Sequence, residues 1–171
     1  MRSFRLIAIV AAIACLACPD SPTDLTLEGP AFLRARIDGR SFSVEEGDVL
    51  DWGWTGIPGE SMNLRGYPAP SATTNEWINI QLGAYDGPGT YVLDGNLNVN
   101  PPENSAGYGV TANGVTTRRF ETGGQYTGSL QIIAADTITI VGTFTFSGGA
   151  TLGPAGEAHI TQGSFRLLRR R

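Results

Sequence analysis

The chain has 171 residues and a formal net charge of −4, and all 12 of its basic residues are arginine. The acidic balance argues against nucleic acid as a general partner, because proteins that bind nucleic acid present a basic surface. Two cysteines and one histidine are too few for a four-ligand zinc site, and no glycine-rich phosphate loop is present, so we expect no cofactor.

The chain begins with the pattern of an export signal. Arg2 and Arg5 precede an uncharged apolar run from Leu6 to Ala17, and a polar, turn-forming stretch follows Cys18. The run has about twelve residues, which is too short for a membrane-spanning helix. Small residues directly before a cysteine resemble the signal of bacterial lipoproteins, in which that cysteine is lipidated and becomes the first residue of the mature chain.

Cys18 is the expected lipidation site, because cleavage before it leaves the longer apolar stretch and a polar mature start. Cys15 is the alternative, and an ordinary cleaved signal with two incidental cysteines is a third interpretation. A redox role for this Cys-x-x-Cys pair would need a folded βαβ context. The resemblance implies a palmitate-bearing protein of the bacterial cell envelope. Its N-terminal lipid would hold it on a membrane, expected to be the outer membrane, facing the periplasm or the exterior.

The expected domain organisation follows from that cleavage site. Residues 1–17 form the signal peptide, residues 18–30 form the lipidated cysteine and a flexible tether, and residues 31–171 form a single domain. Removal of 17 of the 171 residues leaves 154, which is enough to bury a core. The signal takes with it two arginines and no acidic residue, so the mature charge is −6.

The domain is predicted to be all-β, because apolar residues alternate with polar ones and never recur at helical spacing for three turns. The clearest strand is DTITIVGTFTFSGG, in which Ile138, Ile140, Phe144 and Phe146 are predicted to face the core and the other alternating residues to face away from it. A strand before it and another after it complete a meander. The last strand needs a β-bulge at Gln162-Gly163 to keep both of its apolar halves on the core side.

Turn-forming residues predict further hairpins. Asp38-Gly39 and Asn113-Gly114 both suit type I′ turns, and WINIQLGAY is expected to pair with GTYVLDG across Asp86-Gly87-Pro88. VLDWGWTG and MNLRGY are weaker strands. Roughly nine to ten strands at short spacing predict an antiparallel β-sandwich, with a lipocalin-like up-and-down β-barrel as the alternative.

Several segments of the domain resemble an uncharacterised family of small bacterial envelope lipoproteins. The segments are ARIDGRSF, INIQLGAYDGPGTYVL, YTGSLQI, ITIVGTFTFSG and HITQGSFRL. They share a Pro-Gly-Thr-Tyr step, a Gly-Thr-Phe-x-Phe strand and a final Gly-Ser-Phe, which are mainly strand and turn residues. The resemblance implies an all-β lipoprotein domain, and it implies no activity and no catalytic positions.

Four aromatic residues form the main candidate binding site. Trp52 and Trp54 lie two apart, which places them on one face of a strand, and Tyr67 and Trp77 could join them. Such a platform would suit a glycan or a partner protein. The interpretation that we favour is core packing, to which aromatic side chains contribute strongly.

Two weaker candidates involve polar residues. Asp94, Asn96 and Asn98 stand at every second position, as ligands do in a calcium loop, but the sixth place is Val99 and the twelfth is Ser105, where such loops have Gly and Glu. His159 is predicted on the solvent face of its strand.

These observations predict a lipid-anchored envelope protein that acts as a binding module or accessory subunit. A hydrolase with a site assembled from loops is one alternative, for which His159 would have to meet a carboxylate and a Ser or Thr. A barrel that holds a small apolar ligand is the other. The sequence favours a protein that is not an enzyme.

Overall fold

A computed structural model describes residues 25–46, 48–54, 59–67, 74–97 and 99–169, without the side chains of Val49, Asp51 and Trp54. The predicted signal and both cysteines lie outside these residues. The described part of the chain has eleven strands and no helix. The strands are β1 (Phe32–Ile37), β2 (Arg40–Glu45), β3 (Val49–Trp54), β4 (Met62–Tyr67), β5 (Thr74–Leu82), β6 (Gly89–Leu93), β7 (Ser105–Ala112), β8 (Val115–Glu121), β9 (Gly128–Ala135), β10 (Thr139–Leu152) and β11 (Glu157–Arg169).

The strands form two antiparallel layers that are hydrogen-bonded to each other at two corners. Sheet I has the order β2-β1-β11-β10-β9-β6, and sheet II has the order β3-β4-β5-β7-β8. The 14-residue β10 pairs with β9 and then, from Gly149 to Leu152, with β8. The end of β11 pairs in parallel with β3 at Leu168 and Arg169. The result is one mixed sheet of eleven strands folded as a β-sandwich, which confirms the predicted class with slightly more strands than expected.

The core lies between the two layers and follows the predicted alternation along β10. Ile140, Phe144 and Phe146 are all buried there. The prediction that Ile138 joins them is wrong, because its side chain is 51% exposed. The strand begins one residue later. The Asp136 carboxylate accepts hydrogen bonds from the backbone N–H groups of Ile138 and Thr139, so Ile138 belongs to the turn between β9 and β10.

The predicted turns at Asp38-Gly39 and Asn113-Gly114 and the predicted bulge at Gln162-Gly163 are confirmed. Asp38-Gly39 has φ angles of 50° and 80°, and Asn113-Gly114 has φ angles of 51° and 78°, as the type I′ turn requires. Gln162 also has a positive φ of 51°, and the pairing of β10 with β11 slips there. A Cβ at Gly163 would lie 2.5 Å from the carbonyl oxygen of Phe144, so the bulge needs glycine at this place.

The predicted hairpin between β5 and β6 is wrong. The strand β5 pairs with β4 and β7 in sheet II, and β6 pairs with β9 at the edge of sheet I. The connection between them crosses from one layer to the other. Tyr85 in this connection is only 3% exposed, and it exchanges backbone hydrogen bonds with Gly59 and Glu60. The burial of Tyr85 therefore stabilises a connection that crosses between the layers, and the chain does not turn back alongside β5.

The N-terminal segment packs against sheet I through Arg166. The Arg166 side chain is buried on the outer face of β11, and its Nε donates to the backbone oxygen of Thr26 at 2.8 Å. Its Nη1 donates to the backbone oxygen of Pro30 at 3.2 Å. Val141 lies in register with Arg166 and is fully buried, although its parity places it on the outer face. Residues 26–30, which the sequence assigns to the tether, therefore have defined contacts with the domain.

Candidate functional site

Trp52, the first residue of the predicted aromatic platform, belongs to the core. Its side chain is 1% exposed, and its indole N–H donates to the backbone oxygen of Ile138 at 3.2 Å. The backbone of Trp54 pairs with Met62 in sheet II, and the Trp54 side chain lies outside the described part of the structure. For Trp52, the core-packing interpretation therefore holds, and this residue presents no surface to a ligand.

The other two residues of that platform, Tyr67 and Trp77, meet on the outer face of sheet II. Their ring centroids are 6.1 Å apart with an interplanar angle of 28°, and both side chains are partly exposed. The Trp77 indole lies against the backbone of Gly109 in β7. A Cβ at Gly109 would come within 2.3 Å of the indole ring, so this glycine makes the position of the ring possible. Three neighbouring strands thus place one aromatic pair.

The side chains beside this pair are polar. On the same outer face, β4 contributes Asn63 and Arg65, and β5 contributes Asn79 and Gln81. In the pairing of the two strands, Arg65 lies opposite Asn79, and Asn63 lies opposite Gln81. Side chains opposite each other on antiparallel strands are close enough to act on one ligand. We call the surface formed by these four residues with Tyr67 and Trp77 the sheet II platform.

Asn79 is the member of this platform whose hydrogen bonding is incomplete. Its Oδ1 atom is buried and has no hydrogen-bond partner in the described part of the chain. A buried acceptor without a partner is costly, and such atoms in folded proteins usually bond to protein, water or a ligand. Because this atom is buried, it does not contribute to the surface that a ligand would meet.

The described residues of the loop from Asp94 to Asn104 form a wall beside the platform, because Leu97 covers Gly107, which lies opposite Asn79. Leu97 in this loop is 7% exposed and covers Gly107 of β7, where a Cβ would lie 2.4 Å from its methyl carbon. Glu121 of β8 is buried close to the same glycine, and its Oε1 lies 3.0 Å from Nε of Arg119 without hydrogen-bond geometry. Because Gly107 has no side chain, the loop can approach the sheet closely.

Hydrogen bonds within the loop hold this wall in place. The backbone oxygen of Asn104 accepts bonds from the N–H groups of Asp94 and Gly95, at 3.1 and 2.9 Å. The Glu103 carboxylate accepts a bond from the N–H of Asn96 at 2.8 Å. These contacts give the connection a defined shape.

The calcium candidate lies in the same loop. Asp94 and Asn96 are exposed, and Asn98 lies outside the described residues. Within residues 25–169 as far as they are described, no group of three or more His, Cys, Asp or Glu side chains could hold a metal ion.

A concave surface lies on the outer face of sheet I. It is an open groove of about 440 Å³ between β9, β10 and β11. Hydroxyl-bearing residues and the single histidine form most of its lining: Thr127, Ser129, Thr145, Ser147, His159 and Thr161. His159 is on the solvent face of its strand, as predicted.

This groove contains residue types of a hydrolase without their required contacts. His159 Nε2 lies 3.2 Å from a carboxylate oxygen of Glu157, and both side chains are more than half exposed. Ser147 lies opposite His159 in the pairing of β10 with β11, but its hydroxyl donates to the backbone oxygen of Thr127 at 3.4 Å. The N–H groups of Ser147 and His159 are also engaged, with Thr127 and Asp38. The geometry provides neither an activated nucleophile nor a pair of free donors for an oxyanion.

Comparisons with known proteins do not assign this chain to a family. Protein families, curated proteins and solved structures were compared with this chain, and none of them matches it. No helix in the described ranges is long and apolar enough to cross a membrane. The functional interpretation therefore depends on the chain's own residues.

Sequence reasoning found the aromatic members of the platform and missed the polar ones. Asn63 and Arg65 alternate with buried Met62 and Leu64, so the same period of two that identified the strand also places them outward. The contact between Trp77 and Gly109 could not be read in this way, because the two residues are brought together only by the pairing of β5 with β7.

Proposed function

We propose that this protein is a lipid-anchored, non-enzymatic binding module of the bacterial cell envelope, and that the sheet II platform binds a glycan. The observation that carries the proposal is the partly exposed stack of Tyr67 and Trp77 beside a row of amide and guanidinium groups. Aromatic faces pack against the C–H groups of sugar rings, and planar polar side chains such as Asn63 and Arg65 hydrogen-bond hydroxyl groups. Binding sites in general combine apolar surface with a few placed polar groups.

The lipid anchor supports this proposal from the other end of the chain. The lipoprotein-like signal predicts acylation of Cys18, with Cys15 as the alternative, and supports a position of the domain on the outer membrane, where envelope glycans are within reach. Substitution of Cys18 by Ser should release the protein from the membrane fraction of cells. If Cys15→Ser releases it and Cys18→Ser does not, the other cysteine carries the lipid.

A binding assay with the full-length, lipidated protein tests the platform. The probe is soluble peptidoglycan fragments released by a glycosidase, with the protein held on vesicles. Trp77→Ala should weaken binding by roughly tenfold or more, because truncation of one central aromatic residue typically costs about 1–2 kcal/mol or more. Thr145→Ala is the matched control on the outer face of sheet I and should bind like the unaltered protein. Equal binding by both variants would exclude the platform as the peptidoglycan-binding surface.

The hydrolase alternative would use the sheet I groove. Its only support is the presence of Glu157, His159 and Ser147 in one region, and the observed contacts do not join the serine to the histidine. Loss of a hydrolytic activity in Ser147→Ala, with folding retained, would favour it. The small-ligand barrel has less support, because one continuous apolar cluster packs between the two layers.

A further inference from the structure

The described chain begins at a fixed place on the domain. Besides its bonds to the backbone oxygens of Thr26 and Pro30, Arg166 lies 3.4 Å from the Thr26 hydroxyl through Nη2. Gly29 has a φ of 114°, and a Cβ there would come within 2.8 Å of the Arg166 guanidinium, so the chain turns closely around this side chain. The start of β1 and the end of β11 are adjacent, because Phe32 pairs with Arg166. The N-terminal segment therefore leaves the domain at the end of sheet I where β11 finishes.

The distance from this point to the proposed lipid is short. Leu25, the first described residue, is seven positions after Cys18 in the sequence. A fully extended chain reaches at most about 3.3–3.6 Å per residue, so Cys18 cannot be more than about 25 Å from Leu25. If Cys18 carries the lipid, this end of the domain must remain close to the membrane surface.

The same end exposes apolar side chains that the core does not use. Ile138 is 51% exposed and Leu168 is 40% exposed. They are neighbours, because Leu168 pairs with Thr139 and the N–H of Arg169 donates to the backbone oxygen of Ile138 at 2.6 Å. Two exposed apolar residues side by side, next to the exit of an anchored chain, suit the boundary between headgroups and acyl chains.

The charges at this end are mixed, and their arrangement favours an anionic surface. Arg169 is followed in sequence by two further arginines that end the chain. Acidic residues at this end include Glu28, Asp136 and Asp51, which lies opposite Leu168 in the pairing of β11 with β3, and the Asp136 carboxylate already accepts two backbone hydrogen bonds. Arginines near an anionic membrane surface are attracted to it.

We propose that this end of the domain, formed by residues 25–31, Ile138, Leu168 and Arg169, docks on the surface of the bilayer that holds the lipid anchor. Ile138 and Leu168 insert at the level of the headgroups, and Arg169 contacts anionic lipid. The sheet II platform lies on the outer face of the other layer of the sandwich. This inference rests on the proposed lipid anchor at Cys18.

Nitroxide labels on the full-length, lipidated protein test the docking. The protein is bound to vesicles of phosphatidylethanolamine and phosphatidylglycerol, and a single label is placed through Ile138→Cys or, as the control, Leu152→Cys. Leu152 is also partly exposed, at 42%, and stands at the far end of β10, a contour of roughly 40 Å away. Acylated Cys18 does not react with the label, and Cys15 leaves with the signal. Collision rates with oxygen and with a water-soluble nickel chelate report whether each label is in lipid or in water.

The ratio of oxygen to nickel collisions should be severalfold higher at position 138 than at position 152. Equal, water-like ratios at both positions, on protein that floats with the vesicles, would overturn the docking and leave the anchor intact. Failure of the unaltered protein to float would overturn the anchor itself. If Ile138→Cys fails to fold, Leu168→Cys carries the same expectation.

Discussion

The outer faces of the two sheets follow the same alternation and present different chemistry. Sheet I places Arg166 and small hydroxyl residues outward, and its buried guanidinium is used within the chain, on the N-terminal segment. Sheet II places an aromatic pair and amide groups outward, above glycines of β7 and beside a hydrogen-bonded loop. Alternation alone therefore does not identify a binding surface. Arg166 on sheet I is bonded to the protein's own N-terminal segment, whereas the aromatic pair on sheet II is partly exposed.

The comparison requires that each sheet has one buried face and one outer face. The strand β10 offers the strongest test of this. Phe144 is buried against Phe146 and Phe165, with ring centroids 6.4 and 6.2 Å away. Phe144→Ala should lower the free energy of unfolding by about 3–5 kcal/mol, as measured in urea. The adjacent Thr145 is exposed, and Thr145→Ala should cost less than half of that. Equal losses would mean that both sides of β10 are buried.

The contacts between the outer face of sheet I and the N-terminal segment can be removed by replacing Arg166. Arg166→Ala should lower the free energy of unfolding by about 2–3 kcal/mol, because hydrogen bonds from a buried charged group to two backbone oxygens are lost. Amide hydrogen exchange should rise at residues 26–29 in the same variant. Arg36, which is exposed on the same face and bonds Gln162, is the control. If Arg36→Ala lowers the free energy of unfolding by as much, the contacts of Arg166 with the N-terminal segment are not the cause of the loss.

The position of the aromatic pair on sheet II can be altered without replacing any platform residue. In Gly109→Ala the new methyl group must displace the Trp77 indole, which should cost about 1–3 kcal/mol of stability and shift the tryptophan fluorescence. Peptidoglycan binding should fall as well. A Cβ at Gly156 would meet no heavy atom of the described chain within 4 Å beyond its immediate neighbours, so Gly156→Ala is the matched control. Unchanged fluorescence and binding in Gly109→Ala would show that Trp77 is not held by this contact.

The smallest expected effect concerns the link between the sheets. Arg40 of sheet I forms two hydrogen bonds, of 2.9 and 2.6 Å, with Glu76 of sheet II, and Tyr108 donates its hydroxyl to the same carboxylate. Burial and the neighbouring Glu76 raise the pKa of Tyr108. A raised pKa means that the contribution to stability is complete below the unfolded value, near pH 10, and is lost as the pH rises beyond it.

The stability of the unaltered protein should therefore fall more steeply above about pH 10 than that of Tyr108→Phe. Burial also raises the pKa of Tyr85, but this residue is present in both proteins, so its effect cancels in the difference. Urea unfolding of both proteins at a series of pH values from about 9 upward measures this difference in stability. Parallel curves would show that the Tyr108 hydroxyl titrates normally.

Patterns in the sequence predicted the features that depend on residues close to one another in the chain. The inward positions of Ile140, Phe144 and Phe146 along β10 and the two Xaa-Gly turns depend on neighbouring residues, and these predictions were correct. Thr139 and Val141 were predicted to face away from the core, and both are buried.

The exposed position of Ile138 depends on where Asp136 caps the turn. The partner of β6 depends on the burial of Tyr85 in a core assembled from distant strands. Such facts belong to tertiary packing, which a single sequence does not display.

The candidate site shows the same division. Aromatic composition was enough to single out Tyr67 and Trp77, but it also included Trp52, which the core takes. Only the pairing of β5 with β7 shows that Gly109 leaves room for the Trp77 ring, and only the fold of the loop from Asp94 shows a wall beside it.

Oxidative footprinting tests the central claim most directly, because one experiment reads both faces. The full-length, lipidated protein is oxidised by hydroxyl radicals with and without soluble peptidoglycan fragments, and each side chain is followed by mass spectrometry. We predict that the fragments protect Tyr67 and Trp77 on sheet II, while the exposed His159 on sheet I is oxidised equally in both samples and buried Trp52 is oxidised little in either. Protection of His159 with no change at Tyr67 and Trp77 would contradict the assignment of the binding surface to sheet II.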